Sequence, residues 1–253
     1  MKVDVAFLPR LVREPEATAC VVVDVLRASS SIVVLLARGV EEIAVAASPA
    51  EARRMARQQR GRYLLCGELE GLTPPGFDHG NSPSEFDALD LRGQHVALST
   101  TNGTKALRRL RASPAVIVGA LLNATAAAQT LLAEAEARGL DATIVCAGLS
   151  GGKRLSLEDS FTAGALVEKA VAAGERAGIE VDLTDGARIA IRLLRHYGGD
   201  ALAAFHESEH GRKLIGLGFE RDLAFCAQTD RFDVVPRLEG EGLRLALGNV
   251  RFS

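Results

Sequence analysis

The stretch Ala19-Cys-Val-Val-Val-Asp24-Val-Leu-Arg27-Ala-Ser-Ser-Ser31 decides the fold, because it joins a β-strand to a helix through a polar turn. Its first five residues are apolar and mostly β-branched, which is typical of a strand buried on both faces of a parallel sheet. In such a sheet, ligands bind where strands end and helices begin. Asp24 and Arg27 are therefore the first candidates for a functional site, although Asp24 could instead pair with Arg27 while Ser29 or Ser30 caps the helix.

The same strand–turn–helix unit recurs through about residue 181. We predict strands at Val3–Phe7, Cys20–Val25, Glu42–Ala46, Tyr63–Cys66, His95–Ser99, Ala115–Val118 and Ala142–Cys146. We predict helices at Ser30–Ala37, Pro49–Arg60, Gly103–Arg111, Asn123–Arg138 and Leu157–Gly178. The alternation predicts an α/β fold of three layers, α/β/α, with a largely parallel sheet and helices on both of its faces.

The pattern changes after residue 181. Short helices are predicted at Gly186–Tyr197, Asp200–Phe205 and His210–Ile215, with a late edge strand at Asp233–Pro236. Because no Pro- or Ser-rich linker intervenes, we predict a single α/β domain over residues 1–253. Its main sheet and helices occupy residues 1–181, and a small C-terminal helical appendage occupies residues 182–253.

Composition narrows the classes of function. Thirty basic and 32 acidic residues give a net charge of −2, and there are 9 Phe, 2 Tyr and no Trp, so a nucleic-acid partner is not expected. The sequence contains no run of about 18 apolar residues, so a membrane-spanning helix is not expected. The 4 cysteines are isolated, and Met1–Asp4 does not resemble a signal peptide. We expect a cytoplasmic protein with a small-molecule substrate.

A long segment, Gly67–Asp90, interrupts the alternation and is rich in Pro, Gly and polar residues. Loops of this length inside a compact domain are usually functional. Glu68 follows a predicted strand and is the residue best placed to meet Asp24. Asn81 and Ser82 lie further along the same loop.

Two other turns carry polar side chains. The predicted strand ending at Val96–Ser99 is followed by the turn Thr100-Thr-Asn-Gly-Thr-Lys105. Its hydroxyl and amide groups, at the start of a helix, predict a binding site for an anion. The alternative is that these side chains only cap the helix. After Ala142–Cys146, a Gly-rich loop with Lys153 and Arg154 precedes Ser156-Leu-Glu-Asp159, which has the form of a capping box. Its two carboxylates suit metal or anion handling, or simply charge the helix N-terminus.

Three familiar motifs occur in weakened form. Gly148-Leu-Ser150-Gly-Gly152 matches the G-x-S-x-G nucleophile elbow, but a helix does not follow at once. His206-Glu-Ser-Glu-His210 matches H-E-x-x-H, yet no third histidine follows. Ala147–Arg154 is similar to a P-loop, but Ala147 stands in place of the first glycine and Arg154 in place of the Ser or Thr.

Four separated motifs together resemble the 2-phosphosulfolactate phosphatase family of coenzyme M biosynthesis. They are Val23-Asp-Val-Leu-Arg-Ala-Ser-Ser30, Gly76-Phe-Asp-His-Gly-Asn-Ser-Pro-Ser-Glu85, Thr100-Thr-Asn-Gly-Thr104, and Cys146-Ala-Gly148 with Ser156–Asp159. Leu217-Gly218 and Asp222–Cys226 are similar too. The sequence departs from the family at Ser99, at Phe161-Thr162 and in the Gly151–Arg154 loop, but these departures remove neither a carboxylate nor the Asn-Gly-Thr core.

The resemblance implies an α/β, Mg²⁺-dependent phosphatase that converts 2-phospho-3-sulfolactate to 3-sulfolactate and phosphate through metal-assisted attack of water. A phospho-aspartyl route through Asp24 is the alternative, weakened because Leu26 stands where a second aspartate is needed. The catalytic candidates are Asp24, Arg27, Glu158 and Asp159, and the Mg²⁺ ligand candidates are Asp24, Glu68, Glu158 and Asp159. The substrate-binding candidates are Ser29, Ser30, Asn81, Ser82, Thr100, Thr101, Asn102, Gly103, Thr104, Lys105, Asn123, Lys153 and Arg154.

Other functions remain open at this point. The substrate could be the phosphate of another 2-hydroxy acid. A serine hydrolase would use Ser150, and a non-catalytic protein would only bind phosphorylated or sulfonated metabolites. The Leu/Ala-rich helices fit either core packing or a homodimer.

Overall fold

A computed structural model describes residues 1–58, 63–240 and 242–245, and in these residues one ten-stranded sheet carries helices on both faces. The strands are β1 (Lys2–Ala6), β2 (Thr18–Val23), β3 (Glu42–Ala46), β4 (Tyr63–Gly67), β5 (His95–Ser99), β6 (Val116–Val118), β7 (Asp141–Cys146), β8 (Asp182–Leu183), β9 (Pro236–Glu239) and β10 (Gly242–Leu245). The strand order is β4-β5-β3-β10-β9-β6-β2-β7-β1-β8. All seven predicted strands are present, each within two residues of its expected bounds.

The described helices alternate with the strands as predicted. They are α1 (Ala28–Ala37), α2 (Pro49–Gln58), α3 (Pro83–Phe86), α4 (Gly103–Arg109), α5 (Ala124–Arg138), α6 (Leu157–Ala177), α7 (Asp185–His196), α8 (Ala201–Glu207), α9 (Glu209–Gly216) and α10 (Glu220–Cys226). The predicted end of α2, Arg60, lies outside the described residues. No described helix combines the length and apolar character needed to cross a membrane.

Strand β2 lies between two apolar cores, because its alternate side chains point to opposite faces. Val21 and Val23 belong to the core formed with α5, α6 and α7. Cys20 and Val22 belong to the core formed with α1 and α4. Residues Ile32–Leu36 of α1 are all buried, as expected of a helix that is apolar all round. The predicted three-layer architecture is confirmed.

The sheet consists of two parallel blocks joined by an antiparallel hairpin. Strands β6, β2, β7, β1 and β8 form one block, and β4, β5 and β3 form the other. The hairpin β9–β10 pairs with β6 on one side and with β3 on the other. The prediction of an edge strand at Asp233–Pro236 is therefore wrong. The observed strand, β9, begins at Pro236 and has a neighbouring strand on each side.

The strands of one block are antiparallel to those of the other, yet the carboxyl ends of β2, β4 and β5 lie close together. A sheet twists by about 20–25° per strand pair, which accumulates to about 100–125° over the five steps from β5 to β2. The blocks therefore cross steeply, and the turns after β2, β4 and β5 are brought to one place.

The helices after residue 181 pack on the same core as the main sheet. Ala187 and Ile191 of α7, Phe205 of α8 and Leu214 of α9 share an apolar cluster with Val3 of β1. The three helices predicted here are present, and α10 is an additional one. This part of the chain covers the site instead of standing apart from the sheet.

Candidate active site

The turn after β2 and the start of α4 are in direct contact. A Cβ atom built on Gly103 would lie 2.8 Å from Oδ2 of Asp24 and 2.7 Å from Cβ of Ala28. Only glycine allows this approach. The structure thus brings together two turns that are far apart in the sequence.

Asp24 lies between two helix N-termini. Its buried carboxylate accepts backbone N–H bonds from Ala28, in the first turn of α1, and from Gly103, in the first turn of α4. These donors and the helix dipoles favour a negative charge at Asp24. No cationic side chain bonds to this carboxylate among the described residues.

The carboxylates near Asp24 oppose its ionisation. Burial raises the pKa of Asp24 to about 7, with further contributions from the charges of Glu68 and Glu158, while the backbone N–H bonds act in the other direction. Burial also raises the pKa of Glu158, and that of Asp159 lies well above its usual value because of burial and the charges of Asp24 and Glu158. The site therefore brings together several carboxyl groups whose simultaneous ionisation is unfavourable in the protein alone.

The carboxylate of Glu68 accepts hydrogen bonds from Thr101, whose donor groups were predicted to bind an anionic ligand. Its carboxylate accepts the backbone N–H of Thr101 at 2.5 Å, the hydroxyl of Thr101 at 3.0 Å and the N–H of Gly71 at 2.8 Å. With Gly103 bonded to Asp24, the Thr101–Thr104 turn holds carboxylates instead of presenting an empty cradle.

Other predicted donors are used within the protein. The hydroxyl of Ser30 donates to the carbonyl of Val25 at 2.8 Å, and that of Ser29 accepts the N–H of Asp24 at 2.8 Å. Thr100 and Thr104 bond to each other across the first turn of α4, which is the capping alternative. These contacts give no support to a role for the four hydroxyls in substrate binding.

Arg27 is paired with Asp222, not with Asp24. Its guanidinium donates to Asp222 at 2.8 Å and to the carbonyl of Gly71 at 2.9 Å, and it stacks on Phe219 at 4.1 Å. Both charged side chains are almost fully buried. Arg27 therefore ties α1 to α10 and to the loop after β4. Sequence reasoning missed this role of Asp222.

Asp222 also orders the long loop. It accepts hydrogen bonds from the hydroxyls of Ser82 at 2.7 Å and Ser84 at 2.6 Å. Ser82 in turn accepts the N–H of Glu85 and caps α3. The predicted substrate contact of Ser82 is replaced by this structural one.

Asp159 holds two turns together. Its carboxylate oxygens accept the N–H groups of Val25 at 2.9 Å and Gly148 at 3.1 Å, and its own N–H donates to Ser156 at 3.1 Å, as the capping pattern predicted. Its neighbour Glu158 is also buried, and among the described residues Oε2 of Glu158 has no hydrogen-bond partner.

A cleft of about 140 Å³ opens above these carboxylates. It is lined by Glu68, Glu70, Gly71, Thr101, Asn102, Leu149, Ser150, Glu209, His210 and Lys213. A narrow cavity of about 10 Å³ lies beneath it and is bordered by Asp24, Leu26, Arg27, Glu68, Gly71, Asn81, Asn102 and His210. Four residues are common to both, so the two spaces are adjoining parts of one site.

Asn81 and His210 occupy notable positions there. Asn81 is buried, and its Oδ1 has no partner among the described residues. His210 borders both spaces, bonds to the backbone of Leu26, and has a pKa lowered mainly by burial. The H-E-x-x-H string contained this histidine, but nothing in it indicated that α9 covers the site.

The remaining predicted residues lie at the margin or elsewhere. Arg154 pairs with Glu209 at 3.0 Å, and Lys105 and Lys153 line a separate cavity. The side chain of Asn123 is fully buried and bonds to the backbone of Ala120, Val118 and Val234, which gives no support to its predicted substrate contact.

Two of the weakened motifs fail on geometry. His206 and His210 lie on different helices, separated by Ser208, which caps α9. Ser150 lies in a tight turn before α6, and among the described residues it has no hydrogen bond to His210. The described hydrogen bonds therefore give no support to Ser150 as a nucleophile activated by His210, although both residues line the same cleft.

A largely parallel sheet with its acidic cleft beyond the strands' carboxyl ends defines an α/β protein with a small-ligand site at the sheet edge. Comparison with known proteins is more specific. Residues 7–241 match the family model described as 2-phosphosulpholactate phosphatase, and the chain belongs to this family.

Relatives cover most of the chain. A protein of Carboxydothermus hydrogenoformans is 36% identical over 251 residues, 99% of each chain. One of Symbiobacterium thermophilum is 38% identical over 217 residues, 85% of this chain and 89% of its own. One of Deinococcus radiodurans is 40% identical over 218 residues, 86% of each. Each carries the name probable 2-phosphosulfolactate phosphatase.

Proposed function

We propose that this chain is a Mg²⁺-dependent phosphatase that hydrolyses 2-phosphosulfolactate to 3-sulfolactate and phosphate. Membership of the family supports the reaction and the substrate. The observation that carries the proposal of a metal is the buried carboxylate of Asp24, which faces further carboxylates and bonds to no cationic side chain among the described residues.

The donor set of the narrow cavity fits Mg²⁺. No group of three or more His, Cys, Asp or Glu side chains that could hold a metal ion occurs in the described ranges. Mg²⁺ does not require one, because it commonly binds one or two carboxylates, retains waters and takes further oxygens from a phosphate. Asp24, Glu68 and Asn81, whose Oδ1 has no partner among the described residues, border the same space and would supply three hard oxygen ligands.

This assignment narrows the predicted ligand set. Asp159 does not border the narrow cavity, and its carboxylate accepts the backbone N–H groups of Val25 and Gly148, so we assign it to positioning the turns after β2 and β7. Glu158 stays near Asp24 as a source of negative charge. When bound, Mg²⁺ would offset this charge and that of the phosphate and would polarise the phosphoryl group.

The chain's own residues bind and orient the ester. We place the phosphate at the junction of the cleft and the narrow cavity, where Asn102 and His210 supply polar side chains. In the reaction, the oxygen of one water bonds to phosphorus and the ester P–O bond breaks. The leaving oxygen takes up a proton and becomes the hydroxyl of sulfolactate. Phosphoryl transfer of this kind depends mainly on positioning and electrostatic stabilisation.

Phosphate release from 2-phosphosulfolactate, measured with Mg²⁺ and with EDTA, tests the proposal. We expect release only with Mg²⁺, and we expect Ser150→Ala to retain activity. Release that survives EDTA and is lost in Ser150→Ala would establish the serine hydrolase instead. Saturable binding of the ester without release would establish a non-catalytic binding protein.

A panel of other 2-hydroxy-acid phosphates tests the substrate. We expect 2-phosphosulfolactate to give the highest kcat/KM. The cytoplasmic location, to which four free and buried cysteines are suited, and the part in coenzyme M biosynthesis stay predictions.

A further inference from the structure

A cavity of about 200 Å³ lies beside the cleft and carries a concentration of positive charge. Four cationic side chains line it: Arg10, Lys105, Arg109 and Lys153. They come from three separate segments of the chain, and among the described residues no acidic side chain lines this cavity. We call it the basic pocket.

These cations are not used in ion pairs. In the described part of the chain, Arg10, Lys105 and Lys153 pair with no carboxylate, and Arg109 donates to the carbonyl of Pro9 at 3.1 Å. The protein as a whole is slightly acidic, with a net charge of −2. All four side chains are exposed, so their charged ends are accessible to an anion that enters this cavity.

The cleft offers little compensation for a second anionic group. Glu68, Glu70 and Glu209 line it, and Lys213, the one lining cation within the described residues, pairs with Glu70 at 3.2 Å. Arg154 at its margin pairs with Glu209. Among the described residues that line the cleft, a ligand whose phosphate lies at its junction with the narrow cavity therefore meets no unpaired Lys or Arg for a second anionic group.

The basic pocket adjoins the cleft through Asn102, which lines both. The side-chain oxygen of Asn102 accepts the N–H of Gly151 at 2.8 Å. A Cβ on Gly151 would lie 3.7 Å from Nζ of Lys105. Asn102 thus borders both spaces, and Lys105 lies close to the glycine turn that bonds to Asn102.

We propose that the basic pocket binds the sulfonate group of the substrate. Its cationic side chains would then determine the preference of the site for phosphomonoesters that carry a sulfonate. This inference rests on the proposed function. It keeps Lys105 and Lys153 as substrate contacts, adds Arg10 and Arg109, and excludes Arg154, which is paired elsewhere.

Two esters that differ by the sulfonate test the inference. The ratio of kcat/KM for 2-phosphosulfolactate to that for 2-phospholactate is measured in wild type, Arg10→Gln and Lys153→Gln. Each variant should lower the ratio about tenfold, since a hydrogen bond to a charged group is worth about 1.5 kcal/mol or more. Lys2→Gln removes the same charge at the amino end of β1 and should leave the ratio unchanged.

Calorimetric titration with 3-sulfolactate separates the two proposals. Binding that weakens about tenfold in Arg10→Gln and Lys153→Gln, with no phosphate release from either ester, would reject the phosphatase and keep the basic pocket as a sulfonate site. Ratios and binding that match those of Lys2→Gln would overturn the inference while leaving the phosphatase intact. Circular dichroism spectra confirm that each variant is folded.

Discussion

Replacing Asp24 by asparagine should lower kcat by about 10²-fold or more and at the same time stabilise the metal-free protein above pH 7. Burial and neighbouring carboxylates raise the pKa of Asp24 from 3.8 to about 7 in the folded protein. Between these two pKa values the folded state holds a proton that the unfolded state has released, so the contribution of Asp24 to stability is fully present below about pH 4 and is lost as pH rises through about 7. Asparagine has no charge to lose.

The size of the effect follows from the shift. About 3 pKa units at 1.36 kcal/mol each set an upper limit of about 4 kcal/mol. The amide nitrogen of asparagine accepts no hydrogen bond, so an N–H of Ala28 or Gly103 that faces this nitrogen loses its bond at a cost of about 1 kcal/mol. The net gain at pH 8 is about 1–3 kcal/mol, or roughly 3–10 °C in Tm for a chain of this size.

Thermal unfolding in EDTA, followed by circular dichroism at pH 5 and pH 8, measures this gain. Wild type should lose stability between the two pH values more steeply than Asp24→Asn, and Mg²⁺ should restore it at pH 8 in wild type alone. Asp182→Asn, an exposed carboxylate at the sheet edge, serves as the control with an unchanged Tm. A variant that is no more stable than wild type at pH 8, with the same pH dependence, would refute the reasoning.

Two further substitutions probe how the site is held. Asp222→Ala leaves Arg27 buried and unpaired and should destabilise the protein by about 3–5 kcal/mol in denaturant unfolding; a loss under 1 kcal/mol would mean that Arg27 finds another partner. Gly103→Ala places a methyl group 2.8 Å from Oδ2 of Asp24, and we expect at least a tenfold loss of kcat/KM. Gly216→Ala, where a Cβ meets nothing within 4 Å, is the matched control; equal activity in both variants would contradict the close contact.

The sequence could predict the site's location because the relevant signals are local. A β-branched run followed by a polar turn and a helix predicts where a strand ends, as at Asp24 and at the Thr100–Thr104 turn, and strand ends in α/β sheets gather ligands. The pairing of β9 with β6 carries no such local signal, since it joins segments far apart in the chain. The late strand was consequently misplaced at an edge.

Hydrogen-bond partners were the other limit. Thr101 and Gly103 looked like free donors for an anion, but packing places Glu68 and Asp24 against them. The pairing of Arg27 with Asp222 depends on α10, which returns to the site after 195 residues. Residue type and spacing identify candidate donors, whereas tertiary contacts decide what they bind.

The kcat for phosphate release from 2-phosphosulfolactate, compared between wild type and Asp24→Asn at saturating Mg²⁺, tests the central claim most directly. We expect the variant to lose at least 10²-fold in kcat, an effect comparable to removing one electrostatic group from a preorganised site. Equal kcat in both proteins would place the chemistry away from the buried carboxylates and contradict the account.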